Sequence, residues 1–208
     1  MRFDLITISR EYGAGASELA ALLGEQLGWR VFDAQIPAAV AGRLRIPEAS
    51  LEEWDEHAPS LLEGIGDSLM LGNPQLMFDA AYVRRPQARD VAAATRALLQ
   101  EAATDPPVII VGHGAQVQFR ERPTALHLRL VAPISARCRR IMARRGCSEQ
   151  EASAIARYVD RDRMHYVQLF HNHDVRDPLL YALQINTGVI DMPDAAALVR
   201  RIVQAADA

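Results

Sequence analysis

The chain has 208 residues, half of them apolar, enough to bury one sizeable core and too few for two large folded units. A net charge of −3 gives it no general nucleic-acid-binding surface, and no apolar run approaches membrane-spanning length. Its two cysteines, Cys138 and Cys147, lie in a stretch predicted to be helical without CxxC spacing, and the N-terminus reads as a strand rather than a signal peptide, so reduced thiols and a cytoplasmic location are expected.

In chain order, residues 3–8 form a short apolar, β-branched run suited to a central parallel strand, and Gly13-Ala14-Gly15-Ala16 lets the backbone curl tightly before a helix begins near Ser17. Against the phosphate-loop pattern G-x-x-x-x-G-K-[ST], Gly15 and Ser17 match, while Arg10 stands at the first Gly and Ala16 at the Lys. Two readings stay open on these residues, a phosphate-binding turn and an ordinary strand-to-helix turn. All 23 basic residues are Arg, so any phosphate charge must be met by Arg, backbone amides or a metal.

Leu19, Leu22, Leu23 and Leu27 recur at helical spacing, and Gly28 ends that helix. Residues 29–33 read as a second strand ending in Asp33, whose carboxylate either faces a ligand or caps the next helix. Residues 34–105 read as almost wholly helical with Pro and Gly breaks. The part to about 85, with Trp54 to Pro59 and the Arg84-Arg85 pair, is expected to be a flap over one edge of the site.

Residues 107–112 give the strongest buried-strand signal, followed by His113-Gly114; residues 124–131 alternate as a fourth strand, and Pro133 opens the next helix. Residues 137–163 hold eight arginines (Arg137, Arg139, Arg140, Arg144, Arg145, Arg157, Arg161 and Arg163) against four acids, opposite in sign to the whole chain. That segment is either a lid over phosphates or a solvated helical face. Ser148 with Glu151 resembles a capping box for a helix running to about residue 170, in which Asp160 is placed to orient Arg163. His171, His173 and Asp174 suit no common metal-ligand spacing and read as a helix-end turn. Residues 181–187 are the fifth strand, and a last helix begins at Pro193 with Leu198, Ile202 and Val203 facing inward. Trp29 and Trp54 read as packing residues.

Taken together, Ile6-Thr-Ile-Ser-Arg-Glu-Tyr-Gly-Ala-Gly15, Phe32-Asp33, Val108-Ile-Ile-Val-Gly-His-Gly-Ala115, Arg137 through Met142, and Asp160 to Tyr166 make the chain resemble the cytidylate kinase-like family of P-loop nucleoside monophosphate kinase relatives. The resemblance implies an α/β, three-layer P-loop kinase fold over residues 1–208. In it a five-stranded parallel sheet is flanked by helices, with a helical flap (about 34–85) and an Arg-rich helical lid (about 137–175). It implies ATP as phosphoryl donor with Mg²⁺, and CMP, dCMP or a similar small phosphorylated molecule as acceptor, without a nucleic-acid or membrane partner; homo-oligomers are compatible with it. Gly13, Ala14, Gly15, Ala16 and Ser17, with Arg137, Arg140 and Arg144, would then hold the donor, with Ser17 on the metal. Arg10, Asp33, Arg157 and Arg163 would be catalytic, and Asp33, His113, Asp160 and Arg163 would face the acceptor. The family pattern has Arg where this chain has His113, which keeps open a nucleotide or phosphate sensor of the same fold without turnover, and a kinase with a non-nucleotide acceptor.

Overall fold

Strand β1 (Leu5–Arg10) sits at the centre of the sheet, with Leu5 to Ser9 buried on both faces, as a central parallel strand requires. The computed structural model describes residues 3–47 and 88–206; the flap expected over residues 34–85, with Trp54 and Arg84-Arg85, falls largely outside them. The other strands are β2 (Arg30–Phe32), β3 (Val108–Val111), β4 (Ala125–Val131) and β5 (Leu183–Asn186). They form one sheet in the order β2-β3-β1-β4-β5, and every pairing is parallel.

Side chains alternate across this sheet, so two cores form. Ile6, Ile8, Ile109, Val111, Leu126, Leu128 and Leu130 point to one face, where Leu19 and Leu23 of α1 (Ala16–Leu27) and Val199 and Val203 of the C-terminal helix pack on them. Leu5, Val108 and Ile110 point to the other, against Ile36 and Val40 of α2 (Gln35–Leu44) and Leu98 and Leu99 of α3 (Ala88–Ala102). Trp29 is partly buried against the first core.

A short α4 (Ala115–Gln118) follows β3, and α5 (Ile134–Arg145) and α6 (Glu149–His171) form a helical pair between β4 and β5. The expected capping box is present: Ser148 Oγ accepts the Glu151 amide, and the Glu151 carboxylate accepts the Ser148 amide at 2.8 Å. Cys138 is buried inside α5, whereas Cys147 lies in the linker after Gly146 rather than in a helix, because Gly146 at φ 67 terminates α5.

The last helix, α7 (Met192–Ala205), departs from the expected stripe. Ala195, Ala196, Val199 and Val203 are buried, while Leu198 is 39% exposed. Small residues occupy its inner face, and Leu198 stands about 100° around the helix from Val199.

Candidate active site

Between β1 and α1 the backbone turns through Glu11 to Gly15, and the two glycines are required there. Gly13 (φ 80) and Gly15 (φ 87) are left-handed; a Cβ on Gly13 would lie 3.0 Å from the Arg137 carbonyl oxygen, and one on Gly15 would lie 2.2 Å from Met192 Cε. Every carbonyl of this turn is engaged. Glu11 O accepts the Ala14 amide at 3.1 Å, and Gly15 O accepts that of Leu19 at 3.0 Å. Tyr12 O accepts Arg137 Nη1 at 3.3 Å, Gly13 O accepts Arg140 Nη1 at 3.2 Å, and Ala14 O accepts Thr187 Oγ1 at 2.9 Å. The amides behave oppositely: those of Gly13, Gly15, Ala16 and Ser17 donate to no acceptor among the described residues. A loop whose carbonyls are tied back and whose amides are open, at a helix N-terminus, has the donor geometry that anions favour. Ser17 is exposed at that end of α1, whereas Ala16 is 5% exposed and carries no functional group.

Arg137 and Arg140 are the struts of this loop. Arg137, 8% exposed, also donates to Ala132 O and lies 2.5 Å from Asp160 Oδ2 and 3.5 Å from Glu11 Oε2. Arg140 also donates to Thr187 O at 2.6 Å. Both therefore meet the carbonyl side of the loop. Arg144 is exposed in the last turn of α5.

Asp160 does not take the neighbour expected from helical spacing. Its two oxygens accept the Tyr12 amide at 2.7 Å and Arg137 Nη1, while Arg163 lies over the Tyr12 ring, 5.5 Å from its centroid. Spacing of three residues permits a pair on one helix, but the buried arginine of α5 and the loop amide bring more hydrogen bonds to the same carboxylate.

Next to the loop lies a cleft of about 870 Å³ at the C-terminal ends of β1, β3 and β4, where open parallel sheets bind ligands. Arg10, His113, Arg157, Asp160 and Arg163 line it, with Ile36, Pro37 and Val91 on the opposite wall. The Arg10 guanidinium rests on Gly112 and fills the space that a Cβ there would need. Glu11 accepts from the Ala132 amide and faces Arg137. His113 holds a left-handed φ of 55 between two left-handed glycines, backbone strain of a kind that concentrates at functional sites. Asp33 follows β2, half-buried, outside the cleft lining; its amide donates to Gln35 Oε1, and the N-cap position of α2 is Ala34, so the capping alternative does not form.

At the end of α6, His171 packs against Gly114, and burial together with Arg96 and His173 holds its pKa at about 4. His173 is bonded to Arg120 and to His171 O, and Asp174 to Arg176, which draws the Asp174 pKa down to about 2. They form the helix-end turn that was expected, with no metal-binding group among the described residues.

Sequence reasoning overlooked Arg129, which lines the cleft from β4 and is 7% exposed. The available signal was an arginine between two leucines in a buried strand.

The parallel sheet order, the loop at the end of β1 and the helical pair before β5 define the P-loop kinase fold. Residues 5–189 match the Cytidylate kinase-like family, and the chain belongs to that family. Among solved structures the chain is similar to an uncharacterized protein from Eubacterium ventriosum ATCC 27560 (17% identity, TM-score 0.71, 99% of each chain covered). It is also similar to shikimate kinase from Bacteroides thetaiotaomicron (14%, 0.55, 96% of this chain and 98% of that one). A third likeness is to deoxyadenosine kinase from M. mycoides with dCMP and dCDP bound (12%, 0.50, 97% and 99%). No curated protein matches the chain. No helix among the described residues is long and apolar enough to cross a membrane.

Proposed function

We propose that the protein transfers the terminal phosphoryl group of ATP to a small acceptor, with CMP or dCMP as the first candidates. The observation that carries this reading is the loop of Glu11 to Gly15, with its carbonyls anchored and the amides of Gly13, Gly15, Ala16 and Ser17 open beside a large cleft. Those amides and the N-terminus of α1 would bind donor phosphates, a role that needs positioning and charge rather than covalent chemistry. The donor set fits Mg²⁺ arriving with the nucleotide. Ser17 offers one exposed hydroxyl, and the described residues hold no cluster of three acidic, His or Cys ligands that would bind a metal by themselves. Bound MgATP would supply the activated phosphoryl group and neutralise part of its charge.

Arg10 lies between loop and cleft and is the candidate for the charge that Ala16 lacks. Arg157 and Arg163 of α6 would add positive charge on the lid side, and Asp160 holds the loop through the Tyr12 amide. Arg137 and Arg140 serve by fixing the loop, and the exposed Arg144 remains a candidate donor contact. His113 lines the cleft on the acceptor side, and Asp33, outside its lining, is kept as a candidate acceptor contact. A cytoplasmic location and a nucleotide or phosphorylated small molecule as partner follow from this reading. A non-nucleotide acceptor is kept by the likeness to shikimate kinase.

The sensor reading is favoured by two observations, the buried methyl of Ala16 at the usual Lys position and His113 in the cleft where the family pattern has Arg. Full-length protein with ATP, Mg²⁺ and a panel of nucleoside monophosphates and shikimate separates the readings. Acceptor-dependent ADP release is expected. Thermal stabilisation by ATP without ADP release above an Arg163→Ala control supports the sensor, and no response to any nucleotide removes both.

A further inference from the structure

Two arginines of the described residues are buried to nearly the same degree, and their surroundings differ in one respect. Arg137, 8% exposed, faces the carboxylates of Asp160 and Glu11. Arg129, 7% exposed in the interior of β4 between the fully buried Leu128 and Leu130, has no carboxylate in ion-pair contact. Its Nη1 donates to Val175 O at 2.8 Å and to Ser9 Oγ at 3.3 Å, and its guanidinium lies 5.6 Å from the centre of the Tyr181 ring. Tyr181 Oη in turn donates to Val175 O at 2.7 Å and lies 3.2 Å from Ser9 Oγ, which fixes the cradle. Asp174 acts on Arg129 electrostatically, and its carboxylate is already bonded by Arg176; the buried Asp162 lines the same cleft without an ion pair to Arg129.

All of these partners hold Arg129 in place, and none neutralises it. Nε and Nη2 donate to no protein atom among the described residues, and the side chain lines the cleft together with Ser9, Arg10 and His113. A charge buried without a counterion is costly, and a cleft that opens onto its two unused donor groups is where the counterion belongs. Guanidinium donors in a fixed fork select an oxyanion, a phosphate or a carboxylate.

We propose that Arg129 binds the anionic group of the acceptor, a phosphate or a carboxylate, at the floor of the cleft. The inference rests on the phosphotransfer reading for the word acceptor, but the anion site stands on the geometry of Arg129 alone. With its charged group held there, the rest of the acceptor extends toward Arg10 and the phosphate-binding loop. The site also gives the cleft a strong cation on the β4 side, where His113 cannot make a bidentate fork.

The test reads Arg129 directly. In full-length protein labelled with ¹⁵N, the Nε–H resonance of Arg129 is assigned by its loss in Arg129→Lys, and inorganic phosphate, CMP, cytidine and acetate are titrated in turn. A saturable shift with phosphate and CMP but not cytidine assigns a phosphate site, and one with acetate assigns a carboxylate site. A resonance unmoved by all of them overturns the proposal.

Turnover supplies the second arm. Arg129→Gln is expected to raise the acceptor KM at least about ten-fold while leaving the ATP KM within about two-fold, with partial rescue in Arg129→Lys. Equal losses for both substrates would make Arg129 a structural residue and overturn the proposal. If wild-type protein shows no turnover with any acceptor, the phosphotransfer reading fails, and the resonance still decides whether Arg129 binds an anion.

Discussion

Arg137 and Asp160 meet at 2.5 Å, and the contact joins three elements that are far apart in sequence. Arg137 is on α5, Asp160 is on α6, and between them they hold both the amide and the carbonyl of Tyr12 in the loop after β1. The helical pair that was expected to close over phosphates therefore also sets the shape of the loop that would bind them. The placement of the helical pair and the geometry of the loop are coupled through this ion pair and its bonds to Tyr12.

Asp160→Asn tests that coupling. The substitution keeps an acceptor for the Tyr12 amide but removes the charge facing Arg137, which is left with Glu11 at 3.5 Å. The Asp160 side chain is 25% exposed, so the loss is smaller than for a fully buried pair, about 1–3 kcal/mol of unfolding free energy by denaturant titration. Stabilisation by ATP is expected to fall in parallel. An unchanged denaturation midpoint would show that the pair does not hold the loop.

Gly15→Ala strikes the loop from within. A φ of 87 is unfavourable for any L-residue, and the added methyl would meet Met192 Cε. The Met side chain can move aside, but the backbone strain cannot be relieved locally, so a loss of about 1–2 kcal/mol is expected. Thermal shift with ATP should be abolished while far-UV circular dichroism stays native.

The sheet was legible because each strand is a short apolar or alternating run bounded by turn residues, and the capping box located α6 because Ser148 and Glu151 are local to it. Roles that depend on distant partners were not. Arg137 and Arg140 look like surface charges in a basic run, and only the fold brings Tyr12, Gly13 and Thr187 to them. Asp160 and Arg163 stand one helical turn apart, yet a long-range partner captured the carboxylate. In β4, alternation places His127 and Arg129 opposite the leucines, which in isolation signals a solvent face. The turn carrying Val175 and Tyr181 covers that face and makes Arg129 interior. Leu198 misled for the converse reason, since alanines rather than large residues form the inner stripe of α7.

Thr187 is a second anchor, and its hydroxyl can be isolated. Oγ1 donates to Ala14 O and accepts from Arg140 Nη1, and the residue is 3% exposed. Thr187→Val keeps the shape and leaves a buried carbonyl and a guanidinium N–H each short of a partner, at a cost of about 1–3 kcal/mol. Thr187→Ser restores both hydrogen bonds and should recover most of that stability in thermal denaturation, which a role in shape alone would not predict.

The acid limb of stability should report His171. Its pKa of about 4 lies below the usual 6.5 because burial disfavours the cation and because Arg96 and His173 add positive potential. The folded state therefore binds fewer protons than the unfolded chain between these values. The contribution is complete above pH 6.5 and is lost as pH falls toward 4, with stability rising with pH across that window. His127 is shifted in the same direction by burial and adds to the slope. His171→Gln replaces the titrating ring with a neutral side chain, so the urea midpoint of this variant should decline less steeply than that of wild type between pH 6.5 and 4. Parallel pH profiles for the two proteins would show that His171 is not held neutral in the folded state.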